Sequence, residues 1–417
     1  MQNINETGER NFDIIVWGAS GFTGRLVLEY LLERYPQGGD IRWAIAGRNE
    51  QKLKQVLSKH LSDGPAPPIL VANSHDDESL DRLTRDTKVV LTTVGPYAQY
   101  GSELVAACVR NGTHYCDLCG EVQWMRKMID RHQSDAEATG ARIVMSCGFD
   151  SIPSDFGVWT LQREAVSRRD QACKRVTLLV RAMQGGASGG TFASLLNAID
   201  EGQKDSSVAK ILMDPYALNP ADTPRGMDKR DQSGAEFNKA LGIWTAPFVM
   251  AGVNTRVVRR THALAGQPYG EDFRYHEATI IGRGFMSRIR ASLMSVALKV
   301  FFIASAISFT RQYVVKKLLP SPGEGPSRHE RENGYFNLLV VGQHDDGEIL
   351  RLRVKGDRDP GYGSTSKMLT ESAICLAKDD LDVGGGCWTP VSAMGASLFE
   401  RLKANAGLSF ELEENRS

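Results

Sequence analysis

The segment from residue 12 to residue 34 constrains the fold of this chain more than any other. Phe12–Trp17 is a short, β-branched apolar run that predicts a buried parallel strand. Apolar residues in Phe22–Arg34 have the spacing of an amphipathic helix. Between them, a turn of closely spaced glycines lets backbone N–H groups approach a pyrophosphate at the positive end of the helix. The pattern predicts a dinucleotide site, with a plain tight turn as the alternative. Its predicted cofactor contacts are Gly18, Ser20, Gly21, Phe22, Thr23 and Gly24.

The residue after the second predicted strand indicates which dinucleotide binds. NAD enzymes usually carry an acid there, which binds the ribose hydroxyl. This chain instead has Arg48, after the strand predicted over Ile41–Ala46. Because a guanidinium suits a phosphate and an acid repels it, Arg48 predicts NADP(H). The alternative is a solvated surface arginine. Val94, Gly95 and Pro96 leave the fourth predicted strand at its carboxyl end, where the cofactor of such a sheet lies.

Six predicted strands alternate with helices up to residue 150, which is typical of parallel βαβ units. We therefore expect a Rossmann domain with a doubly wound parallel sheet at residues 1–150. Beyond it, longer strands of alternating polarity predict an α+β domain with a mixed or antiparallel sheet at residues 151–358. We interpret residues 219–238 as an exposed polar excursion and the glycine-rich stretch before Thr389 as a turn.

The amino-acid composition indicates which classes of protein this chain can belong to. Lysine plus arginine equal aspartate plus glutamate at 50 each, so no global charge favours nucleic acid as a partner. The 7 cysteines form no framework of pairs, and residues 1–10 lack an apolar secretory core. These features predict a reduced, cytoplasmic protein. Cys116 and Cys119 have redox-motif spacing, but we expect them to be structural, and we expect no bound metal.

Candidate catalytic residues follow the fourth and fifth predicted strands. Tyr97 enters the region expected for the nicotinamide, where a proton donor is needed; the alternative is a packing tyrosine. Tyr115 and Asp117 lie at the end of the fifth strand and can orient a substrate or relay a proton. Glu121 stands nearby, and we expect it to cap the helix that starts near Val122. After the sixth strand, we expect Ser154 or Asp155 to cap a helix rather than to act in catalysis.

A second glycine-rich loop lies in the middle of the chain. Glycine costs conformational entropy, so its density here favours a substrate site that brings an acyl group close to backbone N–H donors. The alternative is a flexible turn with Thr191 as a helix cap. The predicted substrate-binding residues are Gly185, Gly186, Ser188, Gly189, Gly190 and Thr191.

Residues 285–319 form an apolar segment with basic and no acidic residues. Its centre, Ala291–Phe309, nearly reaches the length needed to cross a bilayer, but Lys299 costs roughly 2.5–3.5 kcal/mol there. The pattern fits an interfacial helix on anionic lipid, a buried dimer helix, or a helix lining a tunnel for a lipid chain.

Taken together, the motifs resemble those of the saccharopine dehydrogenase-like oxidoreductases, over nearly the whole chain. The resemblance is carried by the glycine turn, by Arg48 and by five further stretches. These are Val94–Tyr97, Tyr115–Glu121, Cys147–Asp155 and, later, Gly185–Thr191 with Asp359–Tyr362. Within that group the chain looks most like the mycobacterial trans-acting enoyl reductases.

The resemblance implies reduction of a double bond in an acyl chain carried by a polyketide synthase, in glycolipid biosynthesis. It also implies that the middle domain binds substrate and forms a homodimer, and that residues 359–417 return to the Rossmann domain. Two other functions stay open: a saccharopine-type amino-acid or imine dehydrogenase, and a non-catalytic NADP-binding protein on membranes or lipid droplets. The middle domain shows no convincing arginine cluster for two or three carboxylates, which disfavours an amino-acid substrate.

Overall fold

A computed structural model describes residues 10–61, 64–186, 189–311 and 325–414. The chain divides into two compact units. The first comprises the described residues of Met1–Cys119, Lys127–Phe149 and Tyr362–Ala406. The second comprises those of Gly120–Arg126, Asp150–Gly361 and Gly407–Ser417.

The first unit is built on a parallel sheet of seven strands in the order β13-β6-β5-β4-β1-β2-β3. The order reverses direction between β1 and β4, which is where open α/β sheets bind their ligands. The central strands are buried and rich in β-branched residues because helices cover both faces of such a sheet. The strands are β1 (Phe12–Trp17), β2 (Trp43–Gly47), β3 (Ile69–Val71), β4 (Thr87–Thr92), β5 (His114–Cys116), β6 (Arg142–Val144) and β13 (Gly386–Trp388).

Eight helices accompany this sheet within the described part of the chain. They are α1 (Phe22–Arg34), α2 (Glu50–His60), α3 (Asp77–Arg85), α4 (Tyr97–Tyr100), α5 (Ser102–Arg110), α6 (Val122–Thr139), α14 (Thr365–Lys378) and α15 (Pro390–Ala404). Helix α14 is the most deeply buried of them and packs on α1, β1, β4 and β5. Its buried Glu371 accepts hydrogen bonds from the hydroxyls of Tyr30 at 2.8 Å and Tyr35 at 2.7 Å. This network ties α14 to α1.

The second unit contains a mixed sheet of seven strands in the order β14-β12-β11-β7-β10-β9-β8. Only the β10–β7 pair in this sheet is parallel. The strands are β7 (Arg175–Gln184), β8 (Glu236–Asn238), β9 (Ile243–Pro247), β10 (Arg274–Gly282), β11 (Tyr335–Gln343), β12 (Ile349–Gly356) and β14 (Leu408–Leu412).

Helices pack on this second sheet and border it. They are α7 (Ile152–Arg169), α8 (Gly189–Lys204), α9 (Ser206–Met213), α10 (Ala251–Leu264), α11 (Gly284–Ala306), α12 (Ser308–Thr310) and α13 (Arg328–Asn333). Helix α7 packs on β11 and β12, where an added Cβ at Gly157 would lie 3.0 Å from the Val340 side chain. Buried Arg259 of α10 forms an ion pair with buried Asp228 at 2.9 Å, so that neither charge is left alone in the core.

The predicted fold class is confirmed: a parallel Rossmann-type sheet is joined by a mixed sheet. Three local interpretations were wrong. The glycine-rich stretch before Thr389 contains a seventh parallel strand, β13. The predicted polar excursion ends in β8, which pairs with β9. The C-terminal segment does not lie entirely with the Rossmann sheet, because β14 pairs with β12 of the other sheet.

Candidate cofactor site and acid cluster

The glycine turn after β1 has no room for side chains at two of its three glycines. Gly18 has φ +91°, and a Cβ there would lie 2.5 Å from Cγ2 of Val94. A Cβ on Gly24 would lie 2.1 Å from the carbonyl oxygen of Gly18. Position 18 requires glycine because of both the positive φ and the lack of space for a side chain. Position 24 requires glycine because of the lack of space alone.

Helix α1 begins directly after this turn. Its N-cap is Gly21, which offers no side-chain cap to the first-turn N–H groups. The turn is closed by a hydrogen bond of 2.9 Å from Gly21 N–H to Gly18 O. Ser20, Phe22 and Thr23 are partly exposed on the same turn, and the Phe22 ring packs edge-on against Tyr362 at 5.0 Å. An uncapped helix start at the carboxyl end of a parallel strand fits an anionic pyrophosphate.

The loop after β4 contacts the glycine turn. We call the glycine turn and this loop together the cofactor cradle. The hydroxyl of Thr93 donates to Gly18 O at 3.3 Å, and the N–H of Thr93 donates to Trp17 O at 3.0 Å. Val94, Gly95 and Pro96 follow and lead into α4. The loops of β1 and β4 thus meet at the point where the strand order reverses, which is the position expected for the dinucleotide.

Arg48 follows β2 at the same edge of the sheet and is exposed. The next residue, Asn49, caps α2 by accepting the N–H of Lys52 at 2.9 Å. Among the described residues no carboxylate forms an ion pair with Arg48. Its guanidinium is therefore available to a 2′-phosphate. The turn, the β4 loop and Arg48 together fit NADP(H), which supplies or accepts a hydride when it is bound.

The three predicted catalytic residues lie in the first unit, and all are buried. The Tyr97 hydroxyl makes two long hydrogen bonds, donating to Thr92 O at 3.3 Å and accepting from Leu118 N–H at 3.4 Å. Tyr115 donates to Asp117 Oδ2 at 2.8 Å, and burial beside this carboxylate raises the pKa of Tyr115 well above its usual value.

Asp117 is also held by the backbone. Its Oδ1 accepts the N–H groups of Cys119 and Ser146, both at 2.9 Å. These bonds connect the loop after β5 to the loop after β6. The geometry therefore gives Asp117 and Tyr115 a positioning role inside the unit.

The second glycine-rich loop is shaped by packing against the Asp359-Pro360-Gly361 segment. A Cβ on Gly185 would lie 2.1 Å from Asp359 Oδ1, and the N–H of Gly186 donates to that oxygen at 3.2 Å. A Cβ on Gly361 would lie 2.8 Å from Gly186 O. Gly189, Gly190 and Thr191 belong to α8, and Ser188 lies outside the described residues. The structure thus supplies a packing reason for Gly185, which the sequence analysis did not foresee.

The expected caps of α7 and α8 differ from those in the structure, whereas Glu121 stands directly before α6, where its carbonyl oxygen accepts the N–H of Met125 at 2.9 Å. Glu121 is buried, and its Oε1 accepts the Ser194 hydroxyl at 2.6 Å. The N-cap of α7 is Ser151, not Ser154 or Asp155. Asp155 Oδ1 instead accepts the Thr261 hydroxyl at 2.6 Å. Helix α8 begins at Gly189, so Thr191 lies within its first turn and is not its cap.

Two buried carboxyl groups of the second unit form an acid cluster that sequence reasoning missed. Burial, with a smaller contribution from the nearby Glu277, raises the pKa of Asp150 to about 7. Burial also raises the pKa of Glu277, although its oxygens accept hydrogen bonds from Tyr275 at 2.7 Å and Asn254 at 2.9 Å. A carboxyl group that titrates near neutral pH can donate a proton under physiological conditions. The available signal was an acidic residue, Glu277, at an interior position of β10.

The cysteines and metal ligands show no further site within the described residues. All seven cysteines are buried and none forms a disulfide bond, and burial raises the pKa of the Cys116 thiol. No described group of three His, Cys, Asp or Glu side chains is arranged to hold a metal ion.

Comparison with known proteins bears directly on this geometry. The saccharopine dehydrogenase NADP binding domain matches residues 14–144. A Mycobacterium tuberculosis protein, provisionally named a trans-acting enoyl reductase, is 40% identical over 96% of this chain and 97% of its own. A trans-acting enoyl reductase of Mycobacterium bovis is 35% identical over 94% of this chain and 96% of its own.

Solved structures share the fold at low identity. Saccharopine dehydrogenase from Saccharomyces cerevisiae has a TM-score of 0.51 at 12% identity, over 97% of this chain and 100% of its own. Homospermidine synthase from Legionella pneumophila, solved with NAD, has a TM-score of 0.54 at 10% identity, over 97% and 93%.

The cradle and these matches define an NADP-dependent oxidoreductase with a Rossmann-type cofactor domain. Within that class, the chain belongs to the saccharopine dehydrogenase-like family, in the group that contains the trans-acting enoyl reductases. The resemblance stated from the motifs is thereby confirmed.

Proposed function

We propose that this protein is an enoyl reductase that acts on an unsaturated acyl chain of lipid or polyketide type, presented as a carrier- or synthase-bound thioester. The observation that carries the proposal is the near full-length identity of 35–40% with trans-acting enoyl reductases. The cofactor cradle around Gly18 and Arg48 supports the same reaction, because reduction of a double bond needs a hydride donor.

The reaction places two demands on the protein beyond cofactor binding. Hydride adds to the β-carbon of the enoyl thioester, and the electron pair of the double bond moves onto the carbonyl oxygen as an enolate. A proton then adds to the α-carbon, which restores the carbonyl and gives the saturated thioester. The site must therefore hold a donor for the enolate oxygen and a proton source for the α-carbon.

Tyr97 of the first unit and Asp150 of the second unit are our candidate proton donors, each considered by itself. The Tyr97 hydroxyl lies beside the carboxyl end of β4, where it donates to Thr92 O at 3.3 Å and accepts the N–H of Leu118 at 3.4 Å. Asp150 has a pKa of about 7 and therefore carries a proton in part of the molecules at neutral pH. Tyr115 is a poorer donor because its phenol is engaged by Asp117 and its pKa is strongly raised.

We further propose that the substrate belongs to lipid or glycolipid biosynthesis and that the protein works at the periphery of a membrane. The support is the lipid-type chemistry of such acyl chains, together with the exposed apolar helix α11. A long acyl chain is poorly soluble, so an enzyme that reduces it benefits from lying close to a lipid phase.

Consumption of NADPH by the purified protein, followed by absorbance, tests the reaction. We expect oxidation of NADPH with a medium- or long-chain enoyl thioester and none with a keto acid plus lysine, the substrate pair of a saccharopine-type enzyme. NADPH binding without turnover of either substrate contradicts the proposal and favours a non-catalytic NADP-binding protein.

Variants of the two candidate donors test their roles. Tyr97→Phe and Asp150→Asn should each lower kcat by about 10²–10⁴-fold with NADPH affinity nearly unchanged, which is the range for loss of a general acid. Tyr115→Phe is the matched control and should lower kcat less. If neither Tyr97→Phe nor Asp150→Asn changes kcat, both residues serve packing and another group donates the proton.

A further inference from the structure

Helix α11 presents its apolar side chains to solvent instead of to the protein. Phe285, Leu293 and Ile303 are 71%, 64% and 61% exposed. The buried positions of the helix are occupied by small residues, Ser287, Ala291, Ser295 and Ser305. This polarity is the reverse of that of a helix on the surface of a soluble protein. A contiguous exposed apolar surface of this kind marks an interaction site.

The exposed residues form a continuous stripe along the helix, the α11 stripe. Because an α-helix turns about 100° per residue, positions within about 60° of the direction opposite Ala291 share one face. That face carries Phe285, Ile289, Leu293, Val296, Val300 and Ile303. From its first to its last residue the stripe is about 27 Å long.

Basic residues border the α11 stripe on both sides. On the same helical projection, Lys299 lies on one side of the stripe and Arg290 on the other, and both are exposed. No Asp or Glu occurs from Thr279 to Pro322. An apolar face bordered by cations is complementary to a surface with anionic headgroups above an apolar interior.

We infer that α11 docks the protein on an anionic membrane surface, with the helix parallel to the bilayer and its stripe inserted at the boundary between headgroups and acyl chains. The long apolar stems of Arg290 and Lys299 let their charged ends reach outward to lipid phosphates while the stripe is inserted. The partner is thus a lipid surface and not a soluble protein.

Packing within the second unit argues that α11 lies on the bilayer and does not cross it. Within the described residues, α11 is the one helix long and apolar enough to span, with a mean hydropathy of 1.6. Its inner side, however, packs on β9 and β10, and Arg288 lies over the Trp244 ring of β9 at 5.4 Å. Gln203 of α8 donates to Ala306 O at 2.7 Å. A spanning helix would lose these contacts and expose its buried serines to lipid.

The charges also argue against a second copy of this chain as the occupant. A symmetric dimer places the same patch on both partners. Stripe against stripe would bring the basic side chains beside one stripe, Arg290 and Lys299, close to those beside the other, with no acidic residue of this segment to balance them. An anionic lipid surface has the opposite charge and meets the apolar stripe without this repulsion.

This inference rests on the proposed function in one respect. It identifies the membrane as the phase from which a lipid-like substrate reaches the enzyme. Membrane binding itself needs neither substrate nor turnover. A vesicle assay can therefore fail while NADPH oxidation succeeds, and the reverse, so the two proposals are tested separately.

The test is co-sedimentation of the full-length protein with vesicles of phosphatidylcholine alone or of equal parts phosphatidylcholine and phosphatidylglycerol. We expect binding to the anionic vesicles, at least about tenfold weaker binding to the neutral ones, and weakening with added salt. Leu293→Asp/Val300→Asp should abolish binding. Arg290→Glu/Lys299→Glu should remove the preference for phosphatidylglycerol.

A matched control places the same charges elsewhere. Val166 and Met213 are also exposed apolar residues, and Val166→Asp/Met213→Asp should bind anionic vesicles like the unaltered protein. NADPH affinity, a property of the first unit, and the thermal unfolding temperature show whether each variant is folded. If Leu293→Asp/Val300→Asp is unfolded, the exposed arginine and lysine pair still tests the inference.

Three results would overturn the inference. The first is that the unaltered protein ignores both vesicle types. The second is that it forms a dimer that Leu293→Asp/Val300→Asp converts to a monomer while vesicles are ignored, which assigns the stripe to a second copy. The third is that detergent, but neither high salt nor alkaline carbonate, releases the protein from cell membranes, which indicates a spanning helix.

Discussion

The two glycine-rich turns of this chain look alike in sequence, but their glycines are required for different reasons. In the turn after β1, the contacts that exclude side chains at Gly24 come from the turn itself, and the helix that follows is uncapped. In the loop after β7, the excluding contact at Gly185 comes from Asp359, far away along the chain. The comparison teaches that glycine density alone does not mark a ligand site. A glycine can equally make room for a distant part of the fold.

Gly24→Val should have the largest effect. Its side chain would overlap Gly18 O and force the turn open, so NADPH binding should fall by more than about 100-fold, measured by fluorescence titration. Gly384→Ala is the control, because a Cβ there meets nothing within 4 Å. NADPH affinity that survives Gly24→Val would mean that the first turn, too, is only a packing feature.

The Arg48→Asp variant tests which dinucleotide the first turn binds. The change replaces a donor to the 2′-phosphate with a charge that repels it, and a hydrogen bond to a charged group contributes about 1.5–3 kcal/mol. We expect roughly 10- to 100-fold weaker NADPH binding and little change for NADH. Titration of both cofactors measures the ratio. Equal losses for the two cofactors would remove the proposed role of Arg48.

Gly185→Val tests the second loop in the same way. The added side chain would overlap Asp359, and overpacking of this kind costs about 1–3 kcal/mol of unfolding free energy. Urea denaturation should show the loss, and NADPH affinity should be retained. Gly252→Ala in α10, where a Cβ meets nothing within 4 Å, should not destabilise the protein. A variant of Gly185 with full stability and no turnover would restore the loop as a substrate site.

Asp359→Asn should have the smallest effect. The amide keeps an oxygen for the N–H of Gly186 but loses the charge that strengthens this bond, so we expect a loss of about 1 kcal/mol. Urea denaturation measures it against the Gly185 variant. Additive losses in the double variant would show that Asp359 and Gly185 do not share one contact.

Much of the fold was predictable because strands and helices alternate regularly along the first part of the chain. The strands β1 to β6 are apolar and separated by amphipathic helices, so their periodicity alone indicated a parallel sheet. The short strands β8 and β13 lack such a signal, since three residues become a strand only through pairing with β9 and β6. Strand β14 was not anticipated for a related reason: its partner, β12, is set by the tertiary fold.

The residues of the candidate site were predictable, or not, for the same reason. Gly18, Gly24 and Arg48 were recognisable because each acts within a few residues of a strand end. The acid cluster of Asp150 and Glu277 was not, because the two residues are far apart in sequence and only folding buries both. The partners of Glu121 and Asp155 were missed likewise, since Ser194 and Thr261 belong to other helices.

The sequence by itself determined the cofactor turn, the preference for NADP(H) and the family, because backbone conformation and charge at a strand end are local properties. Tertiary structure decided why Gly185 must be glycine and which side of α11 is covered. Both depend on elements that the chain reaches much earlier or later: Asp359 in one case, β9 in the other. The sequence of an apolar helix indicates that another surface covers it. Only the packing of the helix in the folded protein shows which of its faces stays exposed.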